Sequence, residues 1–154
     1  MKRNLFFLFS ILLLSGACSS AKKAARNAIK QGIQGTVTEQ IGNQMPMKGA
    51  EPAVPRGVKT TVFVYEPTRL SDVQQIGQSP VYTSIRTKWV ASVETDSTGA
   101  FQVALPVGSY SLFVKQGDHF YANLFDSQNR IALFEVEEGK LTNAKLSVSS
   151  KANF

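Results

Sequence analysis

The residue types that could carry out chemistry are few in this chain and lie far apart. There is one histidine, His119, beside Asp118, and one cysteine, Cys18, near the amino end. A histidine beside a carboxylate could exchange protons with a substrate, because imidazole titrates near neutral pH. However, no Gly-x-Ser-x-Gly or His-Glu-x-x-His sequence supplies a nucleophile or a metal-binding pair. The sequence therefore predicts no catalytic residues and no enzyme, and we interpret His119 as a turn residue.

Three aspartates are candidates for calcium binding, but each lies in a sequence typical of a tight turn. They are Asp96, Asp118 and Asp126, each next to a Gly or Ser. An aspartate that accepts hydrogen bonds from turn amides explains all three. A calcium site would need more carboxylates close together in the sequence. The sequence predicts neither a metal site nor a cofactor.

The aromatic segment His119–Phe125, HFYANLF, is the third candidate. If Phe120, Tyr121 and Phe125 were exposed together, a sugar ring or a peptide could stack on them as a ligand or partner contact. Large aromatic side chains in a small β-sandwich are more often part of the core. The two interpretations differ in one observable, which is the exposure of these three rings in the folded chain.

The element that would position these residues is the stretch Thr95–Val114, TDSTGAFQVALPVGSYSLFV. Asp96 and Gly99 occupy the first and fourth positions of one predicted turn, and Pro106 and Gly108 belong to a second turn. Apolar residues alternate with other residues after each turn, which is typical of half-buried strands. The apolar positions are Phe101, Val103 and Leu105, then Tyr110, Leu112 and Val114. We expect three antiparallel strands between Val90 and Lys115, joined as a meander by these turns.

Four further strands are predicted from the same alternation, and two long connections separate them. The connections are Gly42–Gly57 and Pro67–Lys88, and the second contains Leu70, Val73 and Ile76 at the spacing of a short helical turn. Seven strands with closely spaced turns predict an all-β fold, a β-sandwich. The four strands are Ile33–Ile41, Val58–Glu66, Ile131–Glu137 and Thr142–Ser149.

The pattern Thr-Asp-x-x-Gly-x-Phe-x-Val-x-Leu-Pro-x-Gly-x-Tyr-x-Leu, at Thr95–Leu112, resembles the carboxypeptidase regulatory-like domain. The resemblance implies a seven-stranded Greek-key β-sandwich of the prealbumin or transthyretin-like type. It implies no chemistry, because in the family's namesakes this domain lies beside a peptidase and carries none of its zinc ligands. Gly42–Pro46, Tyr121–Asn123 and Val136–Lys140 extend the likeness to small Bacteroidetes lipoproteins without an established activity. It covers residues 33–154, which we expect to form one domain.

The first 17 residues are expected to be a signal peptide. Lys2 and Arg3 precede the apolar run Leu5–Leu14, which is too short to span a bilayer. The following Ser-Gly-Ala-Cys sequence ends at Cys18 and resembles the bacterial lipobox, although Ser15 stands where Leu is common. The resemblance implies cleavage before Cys18 and acylation of that residue. The alternative is an unused thiol in a cleaved signal peptide.

Residues 18–32, here called the tether, hold an unusual share of the positive charge. Four of the 17 Lys and Arg lie in the tether and two in the signal peptide, whereas all 11 Asp and Glu follow Ile33. The domain of residues 33–154 is therefore neutral, which argues against a nucleic-acid partner. The tether is interpreted either as a short basic helix on anionic headgroups or as a solvated spacer.

The sequence thus predicts a non-catalytic, lipid-anchored lipoprotein of the cell envelope, acting as a structural or interaction module. Its partners would be membrane lipid, reached through acylated Cys18, and an envelope protein or a glycan. In lipoproteins of the Bacteroidetes type, an acidic run after the cysteine resembles a signal for export to the cell surface. No such run follows Cys18, which favours the outer membrane with the domain facing the periplasm. The alternative function is binding of carbohydrate or peptide by aromatic residues of the loops.

Overall fold

The computed structural model describes residues 29–40 and 55–149, which form eleven β-strands and one 3-10 helix, Leu70–Asp72. Cys18, the predicted signal peptide, most of the tether and most of the predicted loop Gly42–Gly57 lie outside the described residues. The strands form two sheets, of four and seven strands, so the predicted mostly-β class is confirmed. The strands are β1 Gly32–Gln40, β2 Arg56–Gly57, β3 Thr61–Tyr65, β4 Val73–Gln75, β5 Val81–Ile85, β6 Trp89–Glu94, β7 Ala100–Ala104, β8 Gly108–Gln116, β9 His119–Tyr121, β10 Leu133–Val136 and β11 Leu141–Ser149.

The four-stranded sheet is built on β1. Along its whole length β1 pairs in parallel with β11. Two strands share the other edge of β1. β7 pairs antiparallel with the first half of β1, and β2 pairs antiparallel with Thr38 and Glu39. Ile33 and Val37 on its inner face are fully buried. Gly35 between them lies against Ala144 of β11, where an added Cβ would overlap the carbonyl oxygen. Close backbone approach therefore explains this strand glycine.

The seven-stranded sheet has the order β4-β5-β9-β8-β3-β6, and β10 pairs with the first half of β8. Val62 and Val64 of the central strand β3 are fully buried on the face towards the other sheet. Phe63 and Tyr65 of the same strand pack in a separate cluster on the opposite face. This strand is therefore covered on both of its faces.

The predicted meander between Val90 and Lys115 is wrong in its pairing, although its three strands exist. β6 pairs with β3 and β8 also pairs with β3, but β7 between them pairs with β1 of the other sheet. The two tight turns therefore carry the chain from one sheet to the other and back. Alternation identifies the buried face of a strand correctly, as at Phe101 and Leu112, but it does not specify which strand lies beside it.

Two hydrophobic cores stabilise this arrangement. The first core lies between the sheets and includes Ile33, Val64 and Leu112. The second core lies on the outer face of the seven-stranded sheet around Phe113, which is fully buried although it interrupts the alternation of β8. Its ring contacts Tyr65 and Tyr82 edge to face, with centroids 5.7 and 5.8 Å away.

The connection Pro67–Lys88 differs from its prediction. A 3-10 turn does occur at Leu70–Asp72, but the segment that follows is the β4–β5 hairpin, which contributes Val73, Tyr82 and Ile85 to the second core. The two strands of the hairpin and the two short strands β2 and β9 raise the strand count from the predicted seven to eleven. The spacing of Leu70, Val73 and Ile76 predicted a helical turn. The chain from Val73 onward is extended instead, because it packs against the seven-stranded sheet.

Candidate functional site

Asp96 closes a five-residue loop at one end of the sandwich. Its Oδ1 accepts hydrogen bonds from the backbone N–H of Thr98, at 2.8 Å, and of Ala100, at 3.0 Å. The N–H of Gly99 donates to the Asp96 carbonyl at 3.0 Å, and Gly99 has φ +79°. A glycine is required there because the left-handed conformation is strained for other residues. The predicted turn roles of Asp96 and Gly99 are therefore confirmed.

Asp126 closes a second loop of the same design. Its Oδ1 accepts from the N–H of Gln128 at 2.8 Å and of Arg130 at 2.9 Å, and Asn129 takes φ +57°. The hydrogen bond from the Arg130 backbone is the largest cause that lowers the pKa of the Asp126 carboxyl, and the Arg130 side chain adds to it at 2.6 Å. The carboxylate is thus used by the loop itself.

The turn at Pro106 and Gly108 is closed by a side chain. The Tyr110 hydroxyl donates to the Pro106 carbonyl at 3.1 Å, while the Tyr110 ring is buried in the first core. A tyrosine that hydrogen-bonds to the backbone a few residues upstream is a recurrent corner device of β-sandwiches. Gly108 lies against this ring, at the edge of what an added Cβ could tolerate.

The three candidate aromatic contacts are not brought together on the surface. Tyr121 is 5% exposed in the first core, and burial raises the pKa of its hydroxyl. Phe120 packs edge to face on Phe63, with ring centroids 5.3 Å apart. Of the three, Phe125 alone is exposed, at 48%. A three-ring stacking surface therefore does not form, and the interpretation of these aromatics as core residues holds for Phe120 and Tyr121, which β9 places in the two cores.

The lone histidine is a strand residue beside a turn, and not a residue of the turn itself as its interpretation had it. His119 begins β9 and pairs with Gln116 of β8 across the turn that contains Gly117 and Asp118. Throughout residues 29–40 and 55–149, no three His, Cys, Asp or Glu side chains are grouped closely enough to hold a metal ion. Asp96, Asp118 and Asp126 lie in separate loops.

Phe125 lines a shallow cleft of about 360 Å³ whose other walls include Leu124 and Phe134. The Asp126–Arg130 ion pair lies at its rim. This cleft offers an apolar surface beside one pair of opposite charges. Of the three aromatic residues considered as ligand contacts, Phe125 is the one that lines this cleft.

A larger groove of about 840 Å³ was not anticipated from the sequence. Three side-chain carboxamides lie side by side along this groove. Gln34 of β1 is in the middle, with Gln102 of β7 on one side and Asn143 of β11 on the other. Gln34 Nε2 donates to Asn143 Oδ1 at 2.9 Å, and Gln102 Nε2 donates to the carbonyl of Ile29 at 3.2 Å. No local signal identifies this row, because it depends on pairing across the whole domain.

A comparison with known protein families, with curated proteins and with solved structures found no match. The resemblance to the carboxypeptidase regulatory-like domain accordingly stays a prediction. Within the described part of the chain, no helix has the length and apolar character needed to cross a membrane.

Proposed function

We propose that this protein is a non-catalytic, lipid-anchored lipoprotein of the bacterial cell envelope, in which the β-sandwich serves as a structural or interaction module. The observation that carries the proposal is the order of its segments. A basic and apolar leader precedes Cys18, the only cysteine in the chain, and the first strand of the described fold begins at Gly32. The acylated cysteine would hold the domain at the outer membrane, facing the periplasm.

The proposal also covers the topology of the β-sandwich. We assign the domain to the Greek-key, transthyretin-like class of sandwiches with the carboxypeptidase regulatory-like signature. The assignment is supported by the Asp96 loop, by the corner hydrogen bond of Tyr110 and by the crossing of β6, β7 and β8 between the two sheets. These features are structural, and the proposal assigns no catalytic residue.

Acylation of Cys18 is the direct test. The full chain is expressed in a bacterial host with labelled palmitate, alongside Cys18→Ala and the matched control Ser19→Ala. We expect label on the wild type and on Ser19→Ala, both in the outer-membrane fraction, and loss of label and membrane association in Cys18→Ala. Unchanged labelling of Cys18→Ala would show that the anchor lies elsewhere or does not exist.

The carboxamide groove favours a second candidate function, binding of a neutral carbohydrate. Carboxamides donate and accept hydrogen bonds in the same plane, which suits neighbouring sugar hydroxyls, and Gln34, Gln102 and Asn143 stand in one row. Binding to a glycan array by the wild type, lost in Gln34→Ala but kept in the control Phe125→Ala, would support this function. Loss only in Phe125→Ala would transfer the site to the cleft, and no binding would remove this candidate.

A further inference from the structure

The point at which the amino-terminal segment joins the sandwich is held by hydrogen bonds on both sides. Gln31 Nε2 donates to the Leu105 carbonyl at 3.0 Å, and the Gly139 N–H donates to Gln31 Oε1, also at 3.0 Å. The Gly32 N–H donates to the Lys140 carbonyl at 3.1 Å. The segment therefore leaves the domain between the turn after β7 and the turn before β11.

Strand registers define which other residues share this end, here called the anchor end. Gly32 pairs with Ala104, the last residue of β7, and with Leu141, the first residue of β11. The turn with Val107 follows directly after β7. β6 also begins nearer to this end than to the opposite one, because its first residue pairs with Tyr65, which pairs with Ser111, three residues from the start of β8 at Gly108 and five from its end at Gln116. Trp89 is the first residue of β6.

The two ends of the sandwich differ in polarity. Val107 is 60% exposed and Trp89 is 54% exposed, which makes them the two most exposed large apolar side chains among the described residues. At the opposite end, the Asp96 loop and the turn with Gly117 and Asp118 present polar residues. The other exposed large apolar side chains of the described residues are Leu70, Leu124 and Phe125, at 39%, 41% and 48%. Exposed apolar side chains at the point where the tether leaves the domain suit contact with an apolar surface.

We propose that the anchor end rests on the membrane surface, with Trp89 and Val107 in the interfacial region of the bilayer. This inference depends on the proposed anchor at Cys18. Cys18 and Ile29 are eleven residues apart, so an extended chain lets this end move at most about 40 Å from the lipid. Tryptophan favours the membrane interface because its ring is apolar while its N–H still finds polar partners.

Charge neither drives nor prevents this contact. The exposed charged residues of the anchor end are of both signs, namely Lys30, Lys88 and Lys140 together with Glu66, Glu135, Glu137 and Glu138. Lys140 forms an ion pair with Glu137. The attraction to anionic headgroups comes instead from the tether, with Lys22, Lys23 and Arg26. The two apolar side chains then contact a surface that the anchor already holds nearby.

The chain itself contains the probe for this proposal, since Trp89 is its only tryptophan. The acylated full-length protein is reconstituted into vesicles of phosphatidylcholine and phosphatidylglycerol, whose anionic headgroups attract the basic tether, with or without brominated acyl chains. We expect the emission of Trp89 to shift to the blue, to lose most of its intensity in brominated vesicles, and to be protected from iodide.

Two variants make the result specific. Val107→Asp at the anchor end should restore most of the intensity and the access of iodide, whereas Ser97→Asp in the loop at the opposite end should behave as the wild type. A protein that fails to float with the vesicles would overturn the anchor at Cys18. A protein that floats while its Trp89 stays unquenched and open to iodide would overturn the membrane-facing end and leave the anchor standing.

Discussion

Single residues with motif-like spacing in this chain act on its own backbone. Asp96 and Asp126 each bind the amides of a five-residue loop, and Gly99 and Asn129 supply the left-handed residue that each loop needs. Tyr110 closes the next turn with its hydroxyl. The residues that look most functional in the sequence are therefore accounted for by loop geometry, and recognition must use other side chains.

The hydroxyl of Tyr110 gives a prediction at this scale. Tyr110→Phe keeps the ring in the first core but removes the hydrogen bond to the Pro106 carbonyl, which should lower the free energy of unfolding by about 1 kcal/mol. Urea unfolding measures it. Tyr65→Phe is the matched control, because among the described residues the Tyr65 hydroxyl has no hydrogen-bond partner. Equal losses in the two variants would mean that the corner bond contributes nothing.

At the scale of elements, β1 is the central strand of the four-stranded sheet, and it also binds the Asp96 loop. Its Val37 N–H donates to the Gly99 carbonyl at 2.8 Å, and its Val37 carbonyl accepts from Val58 at 3.1 Å. The Asp96 loop thus docks at the place where the partner of β1 changes from β7 to β2. This contact fixes the loop at the point where the chain passes from β6 of the seven-stranded sheet to β7 of the four-stranded sheet.

The docking predicts unequal effects at two glycines that share a left-handed conformation. Gly99 and Gly117 have φ +79° and +58°, but an added Cβ overlaps the Val37 carbonyl oxygen only at Gly99 and meets open space at Gly117. Gly117→Ala should cost about 1–2 kcal/mol for its backbone alone. Gly99→Ala should exceed that cost by at least about 1 kcal/mol, because the Val37–Gly99 hydrogen bond is also disturbed. Thermal unfolding of both variants decides, and similar losses would contradict the docking.

At the scale of the whole molecule, the seven-stranded sheet has a core on each face. The second core depends on Phe113, whose ring contacts Tyr65, Tyr82 and Phe120. The β4–β5 hairpin contributes the paired residues Val73 and Ile85 to this core, but its Val81 packs in the first core with β1 and β11. The end of the hairpin around Val73 and Ile85 should therefore open separately from the rest of the sandwich.

Hydrogen exchange tests this independence. Phe113→Leu removes three edge-to-face contacts, each worth about 0.5–1.5 kcal/mol. We expect protection to fall first at the Arg86 amide, which bonds to the Asp72 carbonyl beside this end of the hairpin, and to persist at the Ile76 and Val37 amides, which lie by the first core. Phe101→Leu in the first core is the matched control and should lower protection at all three amides. The same pattern in both variants would mean that the two cores unfold as one unit.

The sequence by itself determined the features that depend on neighbouring residues. The turn roles of Asp96 and Gly99 were predictable because a side chain that closes a loop needs only the next few amides. The buried faces of β7, β8 and β11 were predictable because side chains alternate along any strand.

Only the tertiary structure decided which strands pair and which aromatic rings are exposed. The parallel pairing of β1 with β11 brings Gln34 beside Asn143, 109 residues away, and no local pattern specifies such a partner. Phe120 and Tyr121 are covered by strands distant in the sequence, so their burial could not be read from the segment that contains them. The physical reason is the same in both cases. Local backbone geometry sets which face of a strand is apolar, but packing of the complete chain sets what lies against that face.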